Sequence, residues 1–182
     1  MLILASKSPR REELLKKLSP TFEIIPAEID ERLLDSSLNP KDLALEESKL
    51  KAYAVFALHS NDEVLSCDTI VVLNGKVLGK PCDEQDAIHM LKEEEGRRQI
   101  VLSAYTYISK QKEISRTVMT EVFFRSLSEK EIVDYVRRFS PLDKAGAYGI
   151  QDDYPLIQKI VGSYDNVMGL PTEDLRKRVF KR

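Results

Sequence analysis

Glu63-Val64-Leu65-Ser66-Cys67 and Thr69-Ile70-Val71-Val72-Leu73, parted by a single acid at Asp68, run into Asn74-Gly75 and out again through Lys76-Val77-Leu78. Two apolar, β-branched runs joined by Asn-Gly predict a β-hairpin, because both central residues of the tightest hairpin turn need positive φ. Working outward, Leu2-Ile3-Leu4 suits a short buried strand. Ser8 then serves as an N-cap with Pro9 at the first helical position and Leu14, Leu15 and Leu18 as the apolar stripe. Thr21–Ile25 is a second strand candidate ended by Pro26, and Asn39-Pro40 opens a helix to about Leu58. Asp83 caps a helix through Glu95 that Gly96 terminates. Residues 100–109 and 113–127 alternate as two long strands, and Ser128 with Glu131 makes a capping box for a helix ending near Phe139. From Pro141 the chain is rich in loops until Thr172 caps a last helix. The pattern predicts a single α/β domain over residues 1–182, with helices covering a mixed sheet.

Composition narrows the function. The 182 residues carry 28 Lys+Arg against 30 Asp+Glu, a net charge of −2, which argues against a nucleic-acid coat and against stable nucleic-acid binding. No apolar run is long enough to cross a bilayer, and Met1–Ala5 is too short for a signal peptide, so a cytoplasmic protein without membrane attachment is expected. Two Cys and two His argue against a disulfide framework or structural zinc and leave a hard cation on carboxylates, magnesium first, as the metal chemistry to expect.

Several clusters could carry chemistry. Ser6 to Arg11 places hydroxyls, Lys7, Arg10 and Arg11 at a helix N-terminus, where free N–H groups and the dipole favour an anion; solvated arginines held by carboxylates are the even alternative. Asp68, inside an apolar strand run, is costly unless paired or functional, and is read either as a metal-orienting or proton-accepting group or as a bulge facing solvent. Lys80 lies five residues after Gly75 and Asp68 six before Asn74, so the hairpin makes them near neighbours; a surface ion pair is the simpler reading. Lys51, four residues after Glu47, reads as ordinary helix support. Glu28, Asp30 and Glu31 could complete a magnesium site with Asp68 or stay solvated, and Gln151, in a glycine-bearing loop, could read a base edge or belong to a turn.

Leu4-Ala5-Ser6-x-Ser8-Pro9-Arg10-Arg11-x-Glu13-Leu14-Leu15 resembles the opening signature of the Maf family of nucleotide pyrophosphatases. Lys51-Ala52, Asp68-Thr69, Leu78-Gly79-Lys80-Pro81, Gly96-Arg97, the run Asp143 to Gln151 and Val167-Met168-Gly169-Leu170-Pro171 follow in family order. The resemblance implies an inosine triphosphate pyrophosphatase-like fold, an elongated mixed sheet with flanking helices and a central cleft between two lobes. It implies hydrolysis of a nucleoside triphosphate to monophosphate and pyrophosphate, a house-cleaning activity with a divalent cation, Mg2+ or else Mn2+, as cofactor. It assigns Asp68 as proton acceptor and metal ligand, Ser6, Arg10, Arg11, Lys51 and Lys80 to phosphate, and Glu31 to the metal, with Asp30 adjacent as the other candidate. Arg10, Thr69 and Gln151 are tied to base choice, and the Ala-Tyr-Gly-Ile-Gln form of the late loop goes with dTTP and UTP. The competing readings are a non-enzymatic regulator of septum formation and a pyrophosphatase for a purine or modified nucleotide. The partner expected is the nucleotide, with a homodimer left open. Three positions depart from the family pattern: Cys67 before the aspartate, Gln99 where histidine is frequent, and Asp152-Asp153 where glycine is common, beside the base-reading glutamine.

Overall fold

The structure, a computed structural model, describes residues 1–30, 34, 35 and 37–181. Its strands are β1 (Leu2–Leu4), β2 (Glu23–Ile24), β3 (Glu63–Leu73), β4 (Lys76–Leu78), β5 (Arg98–Ile108), β6 (Glu113–Phe124) and β7 (Ile157–Val161). Its α-helices are α1 (Pro9–Lys16), α2 (Pro40–Phe56), α3 (Glu84–Glu94), α4 (Glu129–Phe139), α5 (Tyr164–Met168) and α6 (Thr172–Arg178). The strands form one sheet in the order β2-β1-β3-β5-β6-β7, with β4 paired to β3. β1 runs parallel to β2 and β3, and all other pairings are antiparallel.

Local chemistry sets the element ends. Ser8, Asn39, Asp83 and Ser128 each accept a backbone N–H of their own helix through the side chain, and Ser128 with Glu131 completes the capping box. Asn74 at φ 50° and Gly75 at φ 78° form the turn that the hairpin reading requires. At α6 the structure differs from expectation. Thr172 is the first helical residue rather than the cap, Pro171 stands before it, and the Thr172 hydroxyl donates to the Asp165 carboxylate instead of the helix's own backbone. Helix α5 and strand β7 fall in the stretch that reads as loop, because each is only five residues long and leaves too short a period to recognise.

The sheet is covered on both faces. Ala44, Ala52 and Val55 of α2 pack on one face, against Ile70, Val72, Leu102 and Ala104 toward one end and Ile3, Val64 and Ile108 toward the other. On the opposite face the alternate residues of β3 serve two cores. Leu65 and Cys67 meet Leu14, Leu15, Met168 and Leu175 of α1, α5 and α6, while Val71 and Leu73 meet Leu91, Ile132 and Val136 of α3 and α4. Two separate apolar clusters on one face make the two lobes.

β3 is what positions a site between them. β5 pairs with it from Val64 to Val72, but on its other edge β1 reaches only to Leu65 and β4 begins only at Val71. Among the described residues no strand covers the intervening stretch on that edge. Asp68 and Thr69, which point to opposite faces, therefore both open onto one gap in the sheet.

Candidate active site

The gap is the floor of two adjoining hollows of about 300 and 410 Å3 that share Ser8, Arg10, Arg11, Lys51, Lys80 and Asp143. Asp68 lies in the middle of unbroken β3, opposite Ala104 of β5, so it is neither a bulge nor a strand end. Helix α2 stands over it in a fixed rotation. Ser48 is fully buried, its carbonyl accepts from the Ser66 hydroxyl, and its own hydroxyl shares a hydrogen bond with Thr106 (2.9 Å). That rotation brings Glu47 and Lys51, one turn apart, to the cleft.

Lys51 donates from Nζ to Asp68 Oδ1 at 2.6 Å, with both side chains about 15% exposed. The reading of Lys51 as mere support for Glu47 is thus corrected: one turn of helix puts both residues over the same carboxylate, and the short buried contact is to Asp68. Glu47 is also hydrogen-bonded to Asp68. Burial would raise the pKa of Asp68, but the Glu47 hydrogen bond and the charges of Lys51 and Arg11 outweigh it and hold the carboxyl below its usual value. Burial lowers the pKa of Lys51, but the Asp68 charge overcomes this and raises it above normal. The two groups form an ion pair at neutral pH.

On the other face Arg11 acts as a fork. Nε donates to the Gly169 carbonyl (2.9 Å), one terminal nitrogen to Ser6 Oγ (3.3 Å) and the other to Thr69 Oγ1 (3.1 Å). Thr69 shares a hydrogen bond with Ser103 (2.8 Å), which donates to the Asn166 carbonyl (2.9 Å). Arg11 therefore ties α1, β3, β5 and the α5 end together. Arg10 reaches the opposite rim and pairs with Asp143 at 3.1 Å, and Lys144 holds the other oxygen of that carboxylate at 3.2 Å.

The remaining expected residues gather here as well. Ser6 is buried at the back of the second hollow, while Lys80 and Gln151 line the first, Gln151 from an exposed turn. Lys80 shares the cleft with Asp68, but the aspartate's ion pair is with Lys51 instead. Glu31 lies outside the described residues. Glu47, Ser48 and Ser103 escape a reading by motif and are signalled only by their position on helix or strand relative to Lys51 and Thr69; Asp143 and Lys144 open the family run that ends at Gln151, but the run assigns them no role.

The sequence pattern that defines the Maf-like proteins matches residues 1–181. The chain belongs to the Maf family. Its relatives in that family include a protein named dTTP/UTP pyrophosphatase from Carboxydothermus hydrogenoformans, 45% identical over 98% of this chain and 96% of its own length. Another of the same name, from Thermococcus gammatolerans, is 43% identical over 97% and 94%. The fold of this Maf chain is also that of the Staphylococcus aureus Ham1 protein, with a TM-score of 0.50 at 14% identity over 86% of this chain and 79% of the other. The expected mixed sheet with flanking helices is borne out.

The departures from the Maf pattern have clear placements. Cys67 is buried, its thiol donates to the Gly169 carbonyl (3.3 Å), and burial pushes its pKa up to about 11, which makes it a packing group rather than a reactive one. Gln99 is fully buried away from the cleft. Asp152 turns from the cleft to accept from the Tyr135 hydroxyl at 2.6 Å. No helix among the described residues is long and apolar enough to cross a membrane.

Proposed function

We propose that this protein hydrolyses dTTP and UTP to the monophosphate and pyrophosphate. The observation that carries the reading is the Lys51–Asp68–Glu47 cluster in a cleft ringed by cations. Arg10, Arg11, Lys51, Lys80 and Lys144 line the same hollow as Glu47, Asp68 and Asp143, so among the described residues that line it the cations outnumber the acids. A triphosphate with about four negative charges and one bound divalent cation leaves about two to neutralise. The names of the relatives supply the nucleobases, and the cleft supplies the chemistry.

Asp68 and Glu47 offer the hard oxygen donors that magnesium or manganese takes, so the donor set fits a divalent cation, with Asp68 holding it and Glu47 beside it. When bound, the cation supplies further neutralisation of phosphate charge. The protein's own residues do the rest. Arg10, Lys80 and Lys51 hold the phosphate oxygens, and the Arg11 fork keeps Ser6 and Thr69 in place behind them. A phosphate oxygen beside Lys51 shares its ammonium, which relieves Asp68 of the charge that lowers its basicity. Asp68 then accepts a proton from the water that attacks the α-phosphorus, the bond from that phosphorus to the bridging oxygen breaks, and pyrophosphate leaves. Arg10, Thr69 and Gln151 flank the space for the base.

The test is a panel of nucleoside triphosphates with magnesium, read as pyrophosphate release. Release from dTTP and UTP ahead of purine nucleotides is expected. No release from any nucleotide overturns the enzyme reading, and a preference for a guanine nucleotide overturns the pyrimidine one.

A further inference from the structure

Gln151 reaches the cleft from a four-residue turn. The Asp152 N–H donates to the Gly149 carbonyl at 3.1 Å, so Ile150 and Gln151 are the two central residues presented between them. Both ends of this turn are gripped by one side chain from outside it. Tyr135, fully buried on α4, accepts the Gly149 N–H on its hydroxyl oxygen at 2.9 Å and donates the same hydroxyl's proton to Asp152 Oδ2 at 2.6 Å. The clamp leaves no slack. A Cβ on Gly149 would lie 2.7 Å from Asp152 Oδ2, the oxygen that Tyr135 holds, closer than Cβ atoms are found to a neighbouring atom. Tyr135 is itself locked by stacking on Phe139, with ring centroids 5.1 Å apart, and by Tyr154 at 5.4 Å.

We propose that Tyr135 and Asp152 are positioning residues for base recognition, which hold the Gly149–Asp152 turn so that the Gln151 amide meets the nucleobase in one orientation. The inference rests on Gln151 as the base-contacting residue of the proposed function. A turn closed only by its backbone hydrogen bond can rock about its ends, and a glycine at position 152 would supply no side-chain acceptor for the tyrosyl proton. The carboxylate that departs from the family pattern is thus a strut beneath the reading residue and not a group beside the base.

The experiment compares UTP with CTP, whose bases differ in the hydrogen-bonding edge an amide reads, in the unaltered protein and in Asp152→Gly, Asp152→Asn and Tyr135→Phe. Asp152→Gly and Tyr135→Phe are expected to raise KM for UTP about five- to tenfold, the weight of one or two hydrogen bonds, while kcat at saturation stays within about twofold and the preference for UTP over CTP shrinks by the same factor. Asp152→Asn keeps an acceptor for the tyrosyl proton and is expected to restore KM and preference. Melting temperatures identify a variant that has lost its fold, and Asp152→Gly, at a partly exposed turn, is the arm that survives if Tyr135→Phe does not. An unchanged UTP-to-CTP ratio in Asp152→Gly, or a fall in kcat equal for both nucleotides, overturns the proposal. Failure of the unaltered protein to cleave any nucleotide falls on the proposed function instead and shows in the first arm alone.

Discussion

The ammonium of Lys51 lies 2.6 Å from Asp68 Oδ1, although one residue belongs to a helix and the other to a central strand 17 positions on. Nothing but the seating of α2 on the sheet creates this contact, and it joins a cation and a carboxylate at the floor of the cleft. Asp68→Asn preserves the shape and removes the proton acceptor. It is expected to lower kcat by about 10²- to 10⁴-fold in a protein that still folds, with some loss of melting temperature because Lys51 loses its buried partner. A loss smaller than about tenfold in pyrophosphate release would remove Asp68 from the role of base.

Lys51→Ala should lower kcat/KM by more than about tenfold, well beyond the few tenths of a kcal/mol of a helical ion pair. Unchanged kinetics would return Lys51 to helix support. Glu47→Ala should increase the magnesium concentration for half-maximal activity about tenfold or more, as expected when a carboxylate beside a metal-holding one is removed. Equal magnesium dependence in variant and parent would exclude Glu47 from the cation's surroundings.

Arg11→Lys separates charge from geometry. A lysine keeps the positive charge but not the three-way fork to Gly169, Ser6 and Thr69. A loss of about 1–3 kcal/mol in stability is expected together with impaired activity, measured by denaturant unfolding and steady-state kinetics. Full activity at parental stability would show that charge alone is needed there.

Glu94, at the end of α3, is fully buried, and neither carboxyl oxygen has a hydrogen-bond partner among the described residues. Burial, with a smaller contribution from Glu93, pushes its pKa well above the usual range. In the unfolded chain the group ionises near its ordinary pKa, whereas in the folded protein it stays neutral. Its contribution to stability is therefore complete below about pH 4 and declines as pH rises toward the folded value. Glu94→Gln, which cannot ionise, is expected to melt above the parent at pH 8, with the difference narrowing toward pH 5. A melting difference constant across that range would show that Glu94 does not titrate out of step.

Much of the fold is legible locally. The capped helix starts at Ser8, Asn39, Asp83 and Ser128 and the Asn74-Gly75 hairpin depend on side chains within three or four positions of the backbone they satisfy. Strand β7 and helix α5 were not legible, since five residues sample too few periods. Net charge was informative only in part. A value of −2 argues against a long polyanion, yet five cations collected in one cleft serve a short one, and a total carries no placement.

The sequence by itself determined the family, the α/β class and the identity of most cleft residues, because these reside in local motifs and their order along the chain. Only the tertiary structure decided how they are brought together. Glu47 and Lys51 meet Asp68 because buried Ser48, Ser66 and Thr106 fix how α2 rotates on the sheet, and Asp68 and Thr69 share one cleft because β1 ends before β4 begins along the same edge of β3. Tyr135 and Asp152 meet because α4 packs beneath the late turn. Each of these is a contact between elements distant in sequence, set by where apolar faces bury, and no spacing within a single element encodes it.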